Sequence, residues 1–424
     1  ALIVILVIGA GVLTFLSLNK KASVTITFSQ SPAEIVIDGQ TISNASSPLT
    51  ISLSKGTHQI EVSKEGFNSS RYTLEIKTTS QKYSLEMELG EQPKIEKIID
   101  SNSIAFPALN TNLGTVLYFE KTENGEYTLK EFDPESKKTI TIIENSGNVS
   151  KVSWSPSFRQ AAIKVENSEK TTSTSLPFIK DYGEGAKVNW IVNVDRKDLV
   201  NIETKSLNPV IKNIAFNPEG NKIVYYFDNG NIRSLSVANP DGSAYTPLVQ
   251  LETITFEPDV LWSPDGNTVA IFPNTKETDQ NKAKELDVFV YNFEKRQAIK
   301  ISSDNVSTNA KFSPDGSYII YQSSNAIIAY NLKNSDPETA TIELGLNASL
   351  DNCAWIDSKN LIAINSEGRL VKLNIDANPG EKITELSIAG NEIPSGIKNI
   401  FFKNQKIFMF STGAVYSLDL GKNI

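Results

Sequence analysis

The sequence predicts an all-β fold: an N-terminal transmembrane helix, a small β-sandwich and then a β-propeller of about seven blades. Three observations carry this expectation. An uncharged apolar run opens the chain, short apolar stretches of period two follow it, and an aromatic residue with a Pro turn recurs through the remainder at a period in the mid-forties. The expected division is a transmembrane helix at 1–18, a β-sandwich at 22–90, a linker at 91–94 and the propeller at 95–424.

The first element is the run Ala1 to Leu18, ALIVILVIGAGVLTFLSL, which carries no charge and ends at Asn19-Lys20-Lys21. That length is at the short end of what spans a bilayer, so the expectation is a single N-terminal membrane span. Lys20 and Lys21 alone favour a cytoplasmic C-terminal side.

From Ser23 to Leu89 apolar residues alternate in short runs, Val24/Ile26/Phe28, Ile35/Ile37, Leu49/Ile51/Leu53, Ile60/Val62, Leu74/Ile76 and Leu85/Met87/Leu89, which is the strand period. Ser31-Pro32, Asp38-Gly39, Lys55-Gly56 and Glu65-Gly66 separate them with turn chemistry. Gly90-Glu91-Gln92-Pro93-Lys94 then breaks the alternation before Ile95.

Beyond it stand Trp154-Ser155-Pro156, Phe216-Asn217-Pro218-Glu219-Gly220, Trp262-Ser263-Pro264-Asp265-Gly266 and Phe312-Ser313-Pro314-Asp315-Gly316, each leading into a short β-branched and aromatic run. Weaker copies begin at Trp355 and Phe402, and a degenerate first copy is placed at Phe106. Such a period holds four short strands, a propeller blade. In Ser-Pro-Asp-Gly the Pro presets one turn dihedral and the Gly relieves the exit, so the motif is a strand connection. Trp154, Trp262 and Trp355 share one repeat position and read as wedges between blades. A strand from about Ile95 to Phe106 is expected to complete the last blade and close the ring.

The pieces SPAEIVIDGQ and SPLTISLSKGTHQIEVSKEGF resemble the PEGA domain, and the SPDG copies resemble TolB-type and Trp-Asp-like propellers. The PEGA resemblance implies a non-enzymatic extracytoplasmic module of prokaryotic surface proteins, often near a membrane anchor. It therefore implies a cell-membrane location, single-pass, with the C-terminal region extracytoplasmic, against the bias of the two lysines.

Composition narrows the chemistry. With 41 Lys+Arg against 49 Asp+Glu the formal charge is −8, which argues against a nucleic-acid partner. A single cysteine, Cys353, permits no internal disulfide, and a single histidine, His58, reads as a surface residue beside a turn with no metal or catalytic partner. No phosphate loop, H-E-x-x-H, CxxC or EF-hand spacing is present, so no catalytic residue, cofactor or metal is expected. The interval between Trp154 and Phe216 holds roughly fifteen extra residues, mostly in 167–187, where Phe178, Lys180, Asp181 and Tyr182 form the candidate partner contact.

The expected function is a membrane-anchored, non-catalytic platform whose propeller binds a protein or a cell-surface glycan. One alternative is a subunit of a surface filament or layer with the N-terminal apolar helix packed in the assembly. Against it, residue 5 is Ile where bacterial pilins carry Glu. A second alternative is a carbohydrate-active propeller enzyme working through carboxylates alone.

Overall fold

The computed structural model describes residues 21–421 except 102, 145, 167–186, 195–203, 252–256, 274–285, 303–306, 325, 335–336, 379–380 and 389–391. The chain divides into two compact units, Ala1–Lys94 with Ser387–Glu392, and Ile95–Leu386 with Ile393–Ile424.

The described strands of the first unit are β1 (Ala22–Phe28), β2 (Ala33–Ile37), β3 (Gln40–Ala45), β4 (Leu49–Leu53), β5 (Gly56–Ser63), β6 (Ser70–Ile76) and β7 (Tyr83–Met87). They form two sheets, β4-β1-β7 and β3-β2-β5-β6. Alternation decides which residues meet between them: Val24, Ile26, Ile35, Ile60, Val62 and Ile76 are buried, while their strand neighbours face outward. β1 pairs antiparallel with β4 and parallel with β7, so the sheet is mixed.

The described strands of the second unit, from β8 (Ile95–Asp100) onward, form seven four-stranded sheets. Blade one is β9 (Ile104–Asn110), β10 (Thr115–Lys121), β11 (Tyr127–Asp133) and β12 (Lys138–Ile143). Blade two is β13 (Asn148–Trp154), β14 (Gln160–Glu166), β15 (Lys187–Asn193) and β16 (Thr204–Ser206). Blade three is β17 (Ile211–Phe216), β18 (Ile223–Asp228), β19 (Arg233–Ala238) and β20 (Thr246–Gln250). Blade four is β21 (Pro258–Trp262), β22 (Thr268–Pro273), β23 (Phe289–Asn292) and β24 (Gln297–Lys300). Blade five is β25 (Ser307–Phe312), β26 (Tyr318–Ser323), β27 (Ala326–Asn331) and β28 (Thr341–Glu343), the last preceded by the one-turn helix α1 (Pro337–Ala340). Blade six is β29 (Cys353–Trp355), β30 (Asn360–Ile364), β31 (Leu370–Asn374) and β32 (Ile383–Glu385). Blade seven takes β33 (Asn399–Lys403), β34 (Lys406–Phe410) and β35 (Ala414–Asp419) from one chain end and β8 from the other.

Apolar packing runs along the seams between blades. Leu117, Phe119 and Leu129 of blade one pack with Val149, Ile163 and Trp190 of blade two. Val116, Tyr118 and Phe132 of blade one meet Phe408, Phe410 and Val415 of blade seven, and β33 lies against β9, so the ring is closed. Trp154, Trp262 and Trp355 are half-buried in such clusters, as wedges, and Trp262 also stacks on Phe293 with centroids 5.1 Å apart. Phe106 is not the equivalent of these tryptophans. It sits inside β9, which runs on to Asn110, because the first blade turns at Asn110–Gly114 without a Ser-Pro pair.

The expected transmembrane helix at 1–18 is corrected, and with it the single-pass membrane location and the membrane as partner. Among the described residues no helix is long and apolar enough to cross a membrane, and residues 1–18 lie outside them. The described helical segments are α1 and a 3-10 turn at Leu350–Asn352. At 1.5 Å per residue a single turn reaches about 6 Å, whereas a hydrocarbon core is about 30 Å thick.

The repeated turns show why Ser, Pro and Gly recur. Ser155, Asn217, Ser263 and Ser313 are buried, and each side-chain oxygen accepts the backbone N–H five residues on, at 3.0, 2.8, 2.9 and 2.9 Å. The turn exit has positive φ, 72° at Gly220, 79° at Gly266 and 69° at Gly316, while blade two places Phe158 there at 55°. A Cβ on Gly316 would stand 2.6 Å from the Asp265 carboxyl carbon of the preceding blade, whereas on Gly266 it would meet Pro218 no closer than 3.7 Å. Both Gly→Ala changes incur about 1 kcal/mol of backbone strain. Gly316→Ala must in addition displace Asp265. Denaturant melts are expected to show Gly316→Ala the less stable of the two by about 1 kcal/mol or more.

Candidate functional site

Inner strands of a propeller surround its axis, and on these one pair of opposite charges is tied together. Lys151 of β13 bonds Asp259 of β21, so the pair passes over the inner strand of the blade between them. On β14 the buried Lys164 donates to Glu257 Oε1 at 3.0 Å and to Asn213 Oδ1 at 3.2 Å. Asn213 in turn donates to the Pro258 carbonyl at 2.7 Å, and Asn189 of β15 donates to the Ile211 carbonyl at 2.8 Å. Tyr226, buried on β18, completes the group. Burial first, then the negative charge of Asp228, push its phenol up to about 12.

The cluster lies near the starts of β17 and β21 and the end of β14, the face opposite the Ser-Pro turns. The second strand of each blade ends, and the third begins, on this same face. Residues 167–186 join β14 to β15, and residues 274–285 lie between β22 and β23. The sequence candidates Phe178, Lys180, Asp181 and Tyr182 fall within 167–186 and so lie outside the described residues. Asp228–Arg233 makes the same connection in the intervening blade with a short turn and leaves Ile232 49% exposed.

Elsewhere on the inner strands Lys311 donates to the Cys353 carbonyl at 2.8 Å, and burial lowers its pKa. Burial pushes the Cys353 thiol up to about 12, so it is a packed apolar group. Among the described residues no group of three His, Cys, Asp or Glu could hold a metal ion.

The sequence reading of His58 is corrected. It is 7% exposed, not a surface residue, because β5 turns it inward beside the Asp38-Gly39 hairpin. Nδ1 lies 2.6 Å from Asp38 Oδ2 and Nε2 lies 2.9 Å from the Ser54 carbonyl. Two acceptors require two N–H donors, which is the imidazolium. Burial opposes that charge, but the hydrogen bonds to Asp38 and Ser54 outweigh it and raise the pKa above 6.5. The hydrogen bond from His58, followed by that from the Gln59 N–H, holds Asp38 below 3.8.

Sequence reasoning missed Lys164, Asn213, Glu257 and Tyr226. One signal was available: Lys164 interrupts the apolar run Ala161-Ala162-Ile163-Lys164-Val165, and a charge inside a strand buried on both faces needs a partner. Its partners lie 49 and 93 residues away, beyond any local pattern.

Residues 21–93 match the PEGA domain family. No curated protein matches the chain in sequence. The chain is similar in structure to the Cps50 (Swd1) β-propeller domain of Myceliophteria thermophila, with 10% identity, TM-score 0.52, and 78% of this chain and 100% of that one covered. It is also similar to an oligogalacturonate lyase in complex with manganese, with 13% identity, TM-score 0.50 and coverage of 78% and 93%. TolB from Acinetobacter baumannii aligns at 11% identity and TM-score 0.43 over 72% of this chain, which spans 66% of the TolB chain. At such identities the likeness is one of fold. The chain joins a PEGA domain to a β-propeller.

Two predictions follow from this geometry. Glu257→Gln strips the carboxylate from a buried ammonium and is expected to destabilise by about 2–4 kcal/mol in denaturant melts. Lys164→Met, which removes the buried charge, is expected to cost less. For the His58–Asp38 pair, the raised histidine contributes stability below pH 6.5 that is lost as pH rises through its folded value. The depressed aspartate contributes above pH 3.8 and loses this as pH falls through its own. The melting temperature of the PEGA unit is therefore expected to peak between these limits, and His58→Gln to flatten the alkaline side.

Proposed function

We propose that this protein is a non-catalytic binding module whose propeller engages a protein partner through the face that carries residues 167–186 and 274–285. One observation carries the reading: β14 and β22, the strands that precede residues 167–186 and 274–285, end on the same face, on either side of the short turn of blade three. A rigid support lies beside them, since Lys164, Glu257 and Asn213 satisfy one another. Long connections on a fixed scaffold are where recognition concentrates.

Phe178 and Tyr182 would provide apolar contact area, and Lys180 and Asp181 would set register with the partner. Residue-specific photocrosslinking tests this. A crosslinker at Phe178 is expected to capture a protein adduct that one at Asn267, on the opposite face, does not. Replacing residues 170–184 by a Gly-Ser segment of equal length is expected to weaken capture at least tenfold with unchanged circular dichroism. Equal capture from both faces, or capture untouched by the replacement, defeats the reading.

A further inference from the structure

The PEGA unit contains a cleft that the propeller reading does not use. β3 ends the four-stranded sheet and β4 ends the three-stranded sheet, so each strand has one edge unpaired within its sheet. Between them lies a cavity of about 450 Å³, lined by Gln40–Ile42 on one side and Ile51–Leu53 on the other, with Lys21 and His58 also on its wall. Ile42, Ile51 and Leu53 are only partly buried there, although they pack against the core of the sandwich.

The two edges are not equivalent. β3 carries an extra residue between Ile42 and Ala45, which oppose Ile35 and Ala33 of β2, with Asn44 at φ 54°, an irregularity that blunts further pairing. β4 pairs with β1 without a break, from Ala22↔Leu53 to Ile26↔Leu49, so its free edge is regular. Pro48 and Lys55 flank it and confine pairing to a short segment.

The charge of the wall is also determined. The His58 imidazolium and Asp38 neutralise each other through their 2.6 Å contact. Lys21 has no ion-pair partner among the described residues, so one positive charge remains. A regular strand edge with half-buried isoleucines beside it fits extended backbone, and the surplus ammonium fits a carboxylate.

We propose that this cleft takes a short extended peptide segment of a partner protein, added along β4, with an acidic side chain at Lys21. The strand supplies main-chain hydrogen bonds, Ile42 and Ile51 receive alternate apolar side chains, and Lys21 sets the preference for acid over amide.

The test uses the full chain and two capped seven-residue probes of alternating Val and Thr, one with a central Glu and one with a central Gln. With the Glu probe, amide hydrogen exchange is expected to slow at Leu49–Leu53 and not at Ser70–Ile76 of the opposite sheet edge. The Glu probe is expected to bind about threefold to fivefold tighter than the Gln probe. Lys21→Ala should erase that difference without moving the thermal melt. Equal affinity for the two probes, protection confined to β6 or β7, or protection of β4 that rises with protein concentration without probe would overturn the proposal. The last outcome would assign the cleft to a second copy of the chain. Because this site belongs to the first unit, its failure leaves the photocrosslinking result on the propeller face untouched.

Discussion

The propeller depends on one antiparallel pairing, that of β8 with β35, in which Ile95 meets Leu418 and Asp100 meets Ala414. Three of the four strands of blade seven come from the C-terminal end of the chain and the fourth from the start of the unit. Without that strand the seventh blade would hold three strands instead of four, and the ring would lose the hydrogen-bonded link between its two chain ends. Ile99 on β8 then reaches the seam where Val116 and Tyr118 of blade one meet Phe408 and Phe410 of blade seven, so closure is held by packing as well as by hydrogen bonds.

Seam packing explains where polar groups are allowed. Blades present apolar faces to one another, and buried charge is admitted where a partner is supplied, within the blade for Glu131 and Asp287 and from other blades for Lys164. Lys164 sits in a strand otherwise made of Ala, Ile and Val, and is held by Asn213 and Glu257 across the neighbouring seam. Lys151 and Asp259 act likewise from inner strands two blades apart. On the opposite face the Ser-Pro turns meet, with Gly316 so close to Asp265 that the small residue of that turn is required by its neighbour as well as by its own dihedral. The inner strands are thus tied near both ends, and a fixed scaffold of that kind is what recognition by loops needs.

The PEGA unit obeys a different logic. It is a sandwich with free edges, not a closed ring, and the His58–Asp38 contact secures the hairpin between β2 and β3 at one of them. The histidine is buried because both ring nitrogens are satisfied, and the aspartate tolerates a φ of 49° because its carboxylate is held by His58 and by the Gln59 N–H.

The sequence by itself determined the β class, the separation of a small sandwich from a repeat array, and the turn chemistry. These rest on local causes: period-two alternation, the fixed φ of Pro and the freedom of Gly act within a few residues. The Ser155, Ser263 and Ser313 turns were legible for that reason, and Phe106 was misplaced because the first blade lacks their local signal. Tertiary structure alone decided the rest. That His58 is interior, that Lys164 finds Glu257, and that β14 and β22 end on one face depend on contacts between residues far apart in the chain. An apolar opening run is equally a local pattern, and a pattern of apolarity specifies what a segment avoids without specifying what covers it. Burial and pairing are properties of the assembled ring and sandwich, and they arise only when distant strands meet.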